Sequence, residues 1–299
     1  VTGLYGTEWA TSSTFPKSDY VLKEGRPVGL VRGLTADGFY TTDDFTYENG
    51  VYTLKEGVAD VSSAVFPNYH LHNGINERPA GQLAYPGMAK FKDLNDDGII
   101  NDDDVDVIGD MTPVHTGGFN INATYKNFDL GLYFNWSYGN EIYNVNKLAA
   151  LYGYKEGAVY ENKLSIVKDC YKIYDVVNGE LVALTTPEQL NAANANAKLP
   201  LAYSENGYVS TLGIEDGSYL RLNTLTLGYT LPKSILQKAG ISNLRVYGSI
   251  YNVFTITGYS GIDAEVSTST STKTYPQLGM DWGTYPRARS FVLGVNLSF

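Results

Sequence analysis

The sequence has a single cysteine, Cys170, so the chain cannot form an internal disulfide, and we interpret this thiol as a bystander in a loop. It also has no run of eighteen apolar residues, which excludes a helical membrane protein. The spans of a β-barrel alternate polar and apolar residues and average out to a hydrophilic sequence, so the mean hydropathy of -0.20 does not exclude a barrel.

Clustered basic residues are also missing. The chain has 22 Lys and Arg against 32 Asp and Glu, and its net charge is -10. Nucleic-acid binding requires clustered Lys and Arg, so we predict no nucleic-acid partner. Eight aspartates lie between Asp93 and Asp110, and the rest of the chain carries a net charge of only about -2. The acidity is therefore local.

No secretory signal opens the chain, because Val1–Leu4 is neither basic nor followed by a long apolar core. Either the protein stays inside the cell or the start of the natural chain is missing. The sequence has no catalytic Ser, His and Asp arrangement, phosphate loop or dinucleotide fingerprint, so we predict that it is not an enzyme.

Two weaker site hypotheses come from isolated side chains. His70 and His72 would share one face of an extended segment and could bind a metal, but no third ligand is near in sequence, so we favour ordinary loop histidines. Glu141, Asp43 and Asp44 could supply a carboxylate pair for glycoside hydrolysis. Acidic residues are common in loops, so we favour a non-catalytic interpretation of these three carboxylates.

Strict alternation of apolar residues is the main structural signal. In the last ten residues the apolar set is Phe291, Leu293, Val295, Leu297 and Phe299. Period two also marks the segments Gly118 to Tyr125, Phe128 to Tyr138, Tyr219 to Leu231 and, more weakly, Leu244 to Ile256, where we expect an aromatic collar or a bulge. Only Lys126 and Asn127 join the first two of these segments, which predicts a tight hairpin.

The connections between these predicted strands alternate in length. Long loops at about 139–217 and 257–288 alternate with the two-residue hairpin and a short link at about 232–242. Outer-membrane barrels have short periplasmic turns and long external loops, so the pattern indicates lipid on one face of the strands. Five strands cannot close a barrel, and we therefore predict the all-β, carboxy-terminal antiparallel strands of a larger transmembrane β-barrel with long extracellular loops. Residues 1–116 are predicted as an extracellular loop region, and 117–299 as the barrel strands with their external loops.

A twelve-residue acidic segment, residues 93–104, fits the pattern of a calcium loop. Its predicted oxygen ligands are Asp93, Asn95, Asp97, the carbonyl of Ile99, Asn101 directly or through water, and Asp104, with Gly98 at the turn. Asp occupies the twelfth position instead of the usual Glu, which makes bidentate ligation less certain. We predict a structural Ca²⁺; the alternative is a solvated turn whose side chains cap local backbone groups.

Five blocks of the sequence, in collinear order, resemble SusC/RagA-type TonB-dependent transporters. They are Tyr20 to Gly29 with Ala36 to Tyr40; Phe91 to Gly98 with Val107 to Gly109; Gly118 to Tyr143; Ser218 to Pro232; and Gly283 to Pro286 with Arg289 to Phe299. The resemblance covers nearly the whole chain.

The resemblance implies a large barrel of the bacterial outer membrane in Bacteroidetes, plugged by an amino-terminal domain and powered by the TonB complex through parts absent from these residues. It implies contact with outer-membrane lipid, a SusD-like surface lipoprotein as partner, and import of oligosaccharides or peptides. It also implies that Phe299 is the terminus that the barrel-assembly machinery recognises.

Two interpretations of the sequence remain open. The first is a transporter segment, in which loop aromatics (Tyr152, Tyr154, Tyr160, Trp136 and Trp282) stack on sugars or form an interfacial girdle. The second is a soluble, calcium-stabilised, β-rich extracellular binding module.

Overall fold

The computed structural model describes residues 8–10, 20–63, 77–152, 164–202, 209–237, 240–266 and 278–299. The strands are Glu8–Ala10 (β1), Tyr20–Lys23 (β2), Leu30–Gly33 (β3), Ala36–Phe39 (β4), Phe45–Glu48 (β5), Val51–Leu54 (β6), Asp60–Val61 (β7), Ala89–Phe91 (β8), Ile99–Ile100 (β9), Asp106–Asp110 (β10), His115–Tyr125 (β11), Phe128–Tyr138 (β12), Glu141–Asn144 (β13), Tyr174–Val177 (β14), Glu180–Ala183 (β15), Ile214–Asp216 (β16), Tyr219–Thr230 (β17), Asn243–Thr257 (β18), Met280–Asp281 (β19) and Ser290–Ser298 (β20). The α-helices are Val145–Tyr152 (α1), Pro187–Asn194 (α2) and Lys233–Leu236 (α3). Strands dominate, so the all-β prediction is confirmed.

The chain divides into two compact units that interleave along the sequence. The first comprises residues 1–110, 143–214 and 271–277, and the second comprises 111–142, 215–270 and 278–299.

The first unit is built from short strands and loops around a buried aromatic cluster. Its core includes Tyr40, Tyr52 and Phe91, all essentially inaccessible to solvent. Buried tyrosines need partners for their hydroxyls. The Tyr40 hydroxyl donates to the Ala59 carbonyl at 2.7 Å and the Tyr52 hydroxyl to the Thr185 carbonyl at 3.0 Å. Burial, reinforced by nearby acidic groups, raises the pKa of both tyrosines, so both remain neutral and bonded.

Cys170 belongs to this first unit and is buried. Burial, aided by the charge of Asp169, raises the pKa of its thiol to about 11. A thiol with so high a pKa is protonated and unreactive at neutral pH. The bystander interpretation agrees with this environment.

The second unit is an antiparallel sheet with the strand order β11–β12–β17–β18–β20. The strands predicted from period two are confirmed. The predicted hairpin is also present: Tyr125 pairs with Phe128, and Lys126 turns the chain with a φ of 54°. Such a left-handed conformation is what a two-residue hairpin connection requires.

A bulge interrupts β17 and β18 at equivalent positions. Asn223 has no partner on β12, and β18 places Asn252, with a φ of 54°, and Val253 opposite it. The extra residues shift the alternation. This is why the period-two pattern from Leu244 to Ile256 is weak, and the predicted bulge is confirmed.

Long and short connections fall at opposite ends of this sheet. The β11–β12 turn and the link that contains α3 lie at one end, together with Phe299, because Ser298 pairs with Asn243 at the start of β18. The connections from β12 to β17 and from β18 to β20 leave from the other end. We call these the short-turn end and the long-loop end.

Candidate functional site

One face of the five-stranded sheet is apolar, because the register aligns the alternation of all five strands. A single row of directly opposed residues crosses the whole sheet: Ile121, Leu132, Leu225, Ile250 and Phe291. The next row is Ala123, Leu130, Leu227, Gly248 and Leu293. Leu293 is 88% exposed. A contiguous, exposed apolar surface that crosses five strands marks a site that contacts another molecule or a membrane.

Aromatic residues flank this aliphatic band at both ends. At the long-loop end, Phe119 stacks on Phe134 with ring centroids 4.7 Å apart, and Trp136 Nε1 donates to His115 Nδ1 at 3.0 Å. At the short-turn end, Phe128 lies 4.7 Å from Tyr229, centroid to centroid. Two aromatic girdles around an apolar band are the arrangement found in outer-membrane barrels.

The height of the band agrees with a lipid bilayer. The stretch from Phe128 to Trp136 extends roughly 26 Å at about 3.3 Å per residue. A barrel tilt of about 40° reduces this to a height of roughly 20 Å, of the same order as the apolar band of about 25 Å in such barrels.

The opposite face is polar and carries paired charges. One row crosses it as Thr124, Asp129, Gly228, Tyr247 and Gly294. Arg245 bridges to Asp129 over Gly228, with Nε to Oδ1 at 2.9 Å and Nη2 to Oδ2 at 2.5 Å. A Cβ at Gly228 would collide with both of these side chains, so the bridge requires glycine there.

A buried charge network lies on this polar face near the long-loop end. Arg221, only 2% exposed, binds Asp263 Oδ1 through Nη2 at 2.5 Å and Glu265 Oε2 through Nη1 at 2.9 Å. Its Nε donates to Thr255 Oγ1 at 2.9 Å. Arg287 also binds both carboxylates, Asp263 Oδ2 at 3.3 Å and Glu265 Oε2 at 2.9 Å. The two guanidinium groups and two carboxylates balance, and they fix the segment 258–266 against the sheet.

A second buried bond holds the same segment. The Tyr259 hydroxyl donates to Asp281 Oδ2 at 2.6 Å, and both side chains are buried. Burial, together with the bond to Asp281 and its charge, raises the pKa of Tyr259. The phenol therefore stays protonated and continues to donate.

A cavity of about 470 Å³ opens beside this network. Its lining includes Met111, Asn135, Tyr219, Glu265 and Leu278, all from the second unit. Sequence patterns alone did not identify the network or the cavity. The one available signal was Arg221, the only charged residue in β17.

The predicted calcium loop forms a tight turn whose side chains bind local backbone groups. Asp93 accepts from the amides of Asp97 at 3.3 Å and Gly98 at 2.7 Å. Asn95 Oδ1 accepts from the Asp97 amide at 3.0 Å, and Asp97 Oδ1 accepts from the Ile99 amide at 2.8 Å. Gly98 has a φ of 84°, so glycine suits the turn.

The remaining predicted ligands are also engaged locally. Asn101 accepts from the Asp103 amide at 2.7 Å and donates to the Ile99 carbonyl at 3.1 Å. Asp104 is fully buried and accepts from the Leu94 and Asn101 amides at 2.7 and 2.8 Å. Each oxygen retains a lone pair for a cation, but a cation at the Ile99 carbonyl would compete with the Asn101 amide. Among the described residues, no three His, Cys, Asp or Glu side chains are arranged to hold a metal. Bound calcium stays a prediction.

Some of the other predicted site residues lie outside the part of the chain that the structure describes, and the rest do not come together in one site. His70, His72, Tyr154 and Tyr160 lie outside the described residues. Asp44 binds Lys90 Nζ at 2.8 Å, Trp136 belongs to the long-loop girdle, and Trp282 is exposed. Within the described part of the chain, the helices are too short or too polar to cross a membrane.

No protein-family model matches the chain. The chain is 30% identical to TonB-dependent receptor P3 of Formosa agariphila over 284 residues, which are 93% of this chain and 23% of that protein. It is 28% identical to TonB-dependent receptor SusC of Bacteroides thetaiotaomicron over 256 residues, 83% of this chain and 20% of that protein. The chain thus spans about a quarter of the length of the relatives it matches.

Solved structures show the same fold. The chain matches the RagAB peptide importer in its closed-closed state with a TM-score of 0.63 and 19% identity, covering 99% of this chain and 25% of the matched chain. The open-open state gives a TM-score of 0.62 at 20% identity, with coverages of 100% and 25%. The predicted relationship to SusC/RagA-type TonB-dependent receptors is therefore confirmed, by sequence over nearly the whole chain and by fold against the RagAB importer.

Proposed function

We propose that this chain forms part of the wall of an outer-membrane transporter that imports nutrients with energy from the TonB complex. The observation that carries the proposal is the continuous apolar face of the sheet, with its aromatic girdles, opposite a polar face. If this face stood in water, the protein would forgo roughly 25 cal/mol of stabilisation for each Å² of apolar surface left exposed. Outer-membrane lipid covers such a face, and the polar face then lines a hydrophilic lumen.

The energy coupling belongs to parts of the receptor outside these residues. In this proposal the TonB complex acts through the amino-terminal part, and a SusD-like surface lipoprotein covers the long-loop end. The cargo is an oligosaccharide or a peptide. Of the proteins compared above, the RagAB importer imports peptides.

Fractionation and uptake test this function together. We expect the native protein to sediment with the outer membrane and to need detergent for extraction, and nutrient uptake to stop when TonB is deleted. A soluble, calcium-stabilised binding module would instead appear in the aqueous fraction. Release of the protein by salt alone would refute the transporter function and support that module.

We further propose that residues 93–104 bind a structural Ca²⁺. Asp93, Asn95 and Asp97 supply oxygens from one tight turn, and Ile100 within the loop is fully buried, so ion binding would couple to the core of the first unit. The ion would compete for the Ile99 carbonyl and recruit Asn101 and Asp104.

Calorimetry tests calcium binding directly. We expect micromolar to millimolar affinity that Asp97→Asn weakens at least tenfold. Asp106→Asn is the matched control, because this exposed aspartate lies just outside the loop. Absence of heat at millimolar calcium would rule the site out.

Phe299 is the remaining predicted functional residue. It is highly exposed and follows β20 at the short-turn end of the sheet. We propose that it serves as the assembly signal. Phe299→Ala should lower the amount of assembled receptor in the outer membrane severalfold, whereas Phe291→Ala, on the same strand, should lower it less. Equal amounts for Phe299→Ala and the wild type would contradict this role.

A further inference from the structure

We propose that residues 258–266 form a strap across the outer mouth of the lumen and limit the width of the cargo that enters. The inference rests on the proposed transport function, in which the polar face of the sheet borders a lumen. It makes the strap a determinant of specificity. The strap is the first part of the long connection between β18 and β20, and the structure describes it as far as Val266.

The strap folds back over the polar face of the sheet. Arg221 lies on this face, because it pairs with Asn135 of β12 and Thr255 of β18. Its guanidinium is almost fully buried and binds Asp263 and Glu265 of the strap. A strap that pointed away from the end of the sheet could not bury a side chain of this face. The strap therefore lies on the lumen side of the wall.

The strap covers only the long-loop end of the polar face. Arg221 and Tyr219 pack against it there. Nearer the short-turn end, the polar-face residues Asn122 and Thr124 of β11 are exposed. A packed layer of polypeptide is roughly 10 Å thick. The lumen is therefore narrower at the strap than further along the wall.

Three separate anchors hold the strap in this position. The Ser260 amide and hydroxyl both donate to the Glu215 carboxylate, each at 2.8 Å. The Tyr259 hydroxyl donates to Asp281 at 2.6 Å. The third anchor is the ion-pair network around Arg221. Because the anchors come from β16, β19 and β17, loss of one of them leaves the strap attached at the other two.

The residues of the strap have two different sides. Tyr259, Ala264 and Val266 are buried in one apolar cluster. A Cβ at Gly261 would collide with the Tyr259 ring, so glycine lets the ring lie close to the strap backbone. Ile262, in contrast, is exposed. One side of the strap thus packs on the wall, and the other side faces the lumen.

A constriction that is fixed in place selects cargo by cross-section. Displacing the strap would separate the buried charges of the network from their partners, which is costly. The two arginines and two carboxylates of the network balance, so the strap adds no net charge that would attract or repel cargo. Extended, unbranched molecules therefore pass the strap more readily than branched or folded ones.

Thiol labelling of the full-length receptor in intact cells tests the constriction. Asn122→Cys places a thiol on the exposed part of the polar face, beyond the strap. The large probe is a maleimide on a long polyethylene glycol chain, and the small probe is a charged methanethiosulfonate. The receptor without an introduced cysteine gives the background.

Two variants in the Asn122→Cys background loosen the strap. Asp263→Asn weakens the ion-pair network, and the double variant Tyr259→Phe, Ser260→Ala removes the two hydroxyl bonds. Each should raise the labelling rate of the large probe about fivefold or more and leave that of the small probe within about twofold. The double variant leaves every charge in place, so it decides the result if Asp263→Asn does not assemble.

The matched control for Asp263→Asn is Asp129→Asn. It also removes an acidic partner of an arginine on the polar face, but at the short-turn end and away from the strap. Both labelling rates should stay within about twofold of the starting values. Unchanged rates for the large probe in both strap variants would overturn the inference, and so would an equal rise in Asp129→Asn.

Leu293→Cys separates this inference from the proposed function. This thiol lies on the apolar face, where lipid should protect it from both probes. Rapid labelling there by the small charged probe would overturn the transporter function itself. If the thiol is protected while the strap variants label as the starting receptor does, the constriction is overturned and the transporter function stands.

Discussion

At the scale of single residues, Arg221 is a charged side chain that is buried on the polar face of the sheet. Its guanidinium is almost fully buried and binds Asp263, Glu265 and the Thr255 hydroxyl. A buried charge network of this kind gives little net stability compared with apolar packing, but removing one member leaves the others uncompensated.

Arg221→Leu should therefore destabilise the receptor by about 3–5 kcal/mol, because Asp263 and Glu265 would keep only Arg287 as a cationic partner. Urea unfolding of the receptor in liposomes measures the effect. Arg289→Leu is the control: Arg289 is exposed, and its loss should cost under about 0.5 kcal/mol. Similar losses for the two variants would mean that the network has no special weight.

In the first unit, Asp44 and Lys90 form an ion pair, and its contribution to stability depends on pH. Burial alone would raise the pKa of Asp44, but the hydrogen bonds from Lys90 and Thr41 and the charge of Lys90 outweigh it, and the net pKa lies below the usual value. A lowered folded-state pKa gives stability that is present above the unfolded-state pKa of about 3.9 and is lost as pH falls through the folded-state value.

Asp44→Asn should thus lower stability at pH 7 by about 1–2 kcal/mol, and the difference from wild type should shrink below about pH 4. Thermal melting of both proteins between pH 7 and pH 3 measures it. In a Lys90→Met background most of the difference at pH 7 should disappear. A difference that stays constant over this pH range would contradict the ion pair.

At the scale of elements, the two faces of β20 allow a direct test of what covers the sheet. Leu293 lies on the apolar face opposite Gly248, and its neighbour Val292 lies on the polar face opposite Ser249. If lipid covers the apolar face, Leu293→Arg should cost about 2–4 kcal/mol.

Val292→Arg is the matched control and should cost under about 1 kcal/mol, because the polar face borders a hydrophilic lumen. Unfolding in liposomes and the yield of assembled receptor measure both variants. If Leu293→Arg were as mild as a surface substitution in water, within about 0.5 kcal/mol, the apolar face would not contact lipid.

These five strands were predictable because a period of two depends only on whether each residue is apolar or polar, and successive side chains of a strand point to opposite faces. The alternation around Phe119 and Phe134 and the Lys126–Asn127 turn are local properties, and all are present as predicted. The register is also encoded locally at this hairpin, since a two-residue turn fixes the pairing.

The Arg221 network was not predictable, because its members come from β17, the segment 258–266 and the approach to β20. No spacing in the sequence specifies which distant carboxylate meets which arginine. The same limit applies to the Asp129–Arg245 bridge, which crosses an intervening strand at Gly228. The predicted ligands of the acidic loop all lie in one turn, but whether they bind an ion depends on competition that spacing does not reveal.

At the scale of the whole molecule, the sheet has two outer strands, β11 and β20, each paired on one side within the described residues. Unpaired backbone groups are costly in lipid, so a membrane wall of this kind needs further strands to close. The matched relatives, about four times as long, supply enough chain for this.

An antibody against the 299-residue segment should therefore detect, in detergent extracts of native cells, a protein much larger than 32.8 kDa. Size exclusion with mass measurement gives the result. A monodisperse, complete barrel made only of this chain would contradict the wall interpretation.

The alternation of connection lengths has an evolutionary consequence. Loop-closure entropy grows only slowly with length, by about 0.6 kcal/mol for each doubling, so segments between β12 and β17 can lengthen, shorten or diverge at little thermodynamic cost. The strands, whose register ties every side chain to one of two faces, have no such freedom. In the proposed transporter, selection for new nutrients can therefore act on one end of the wall while the register of the strands is kept.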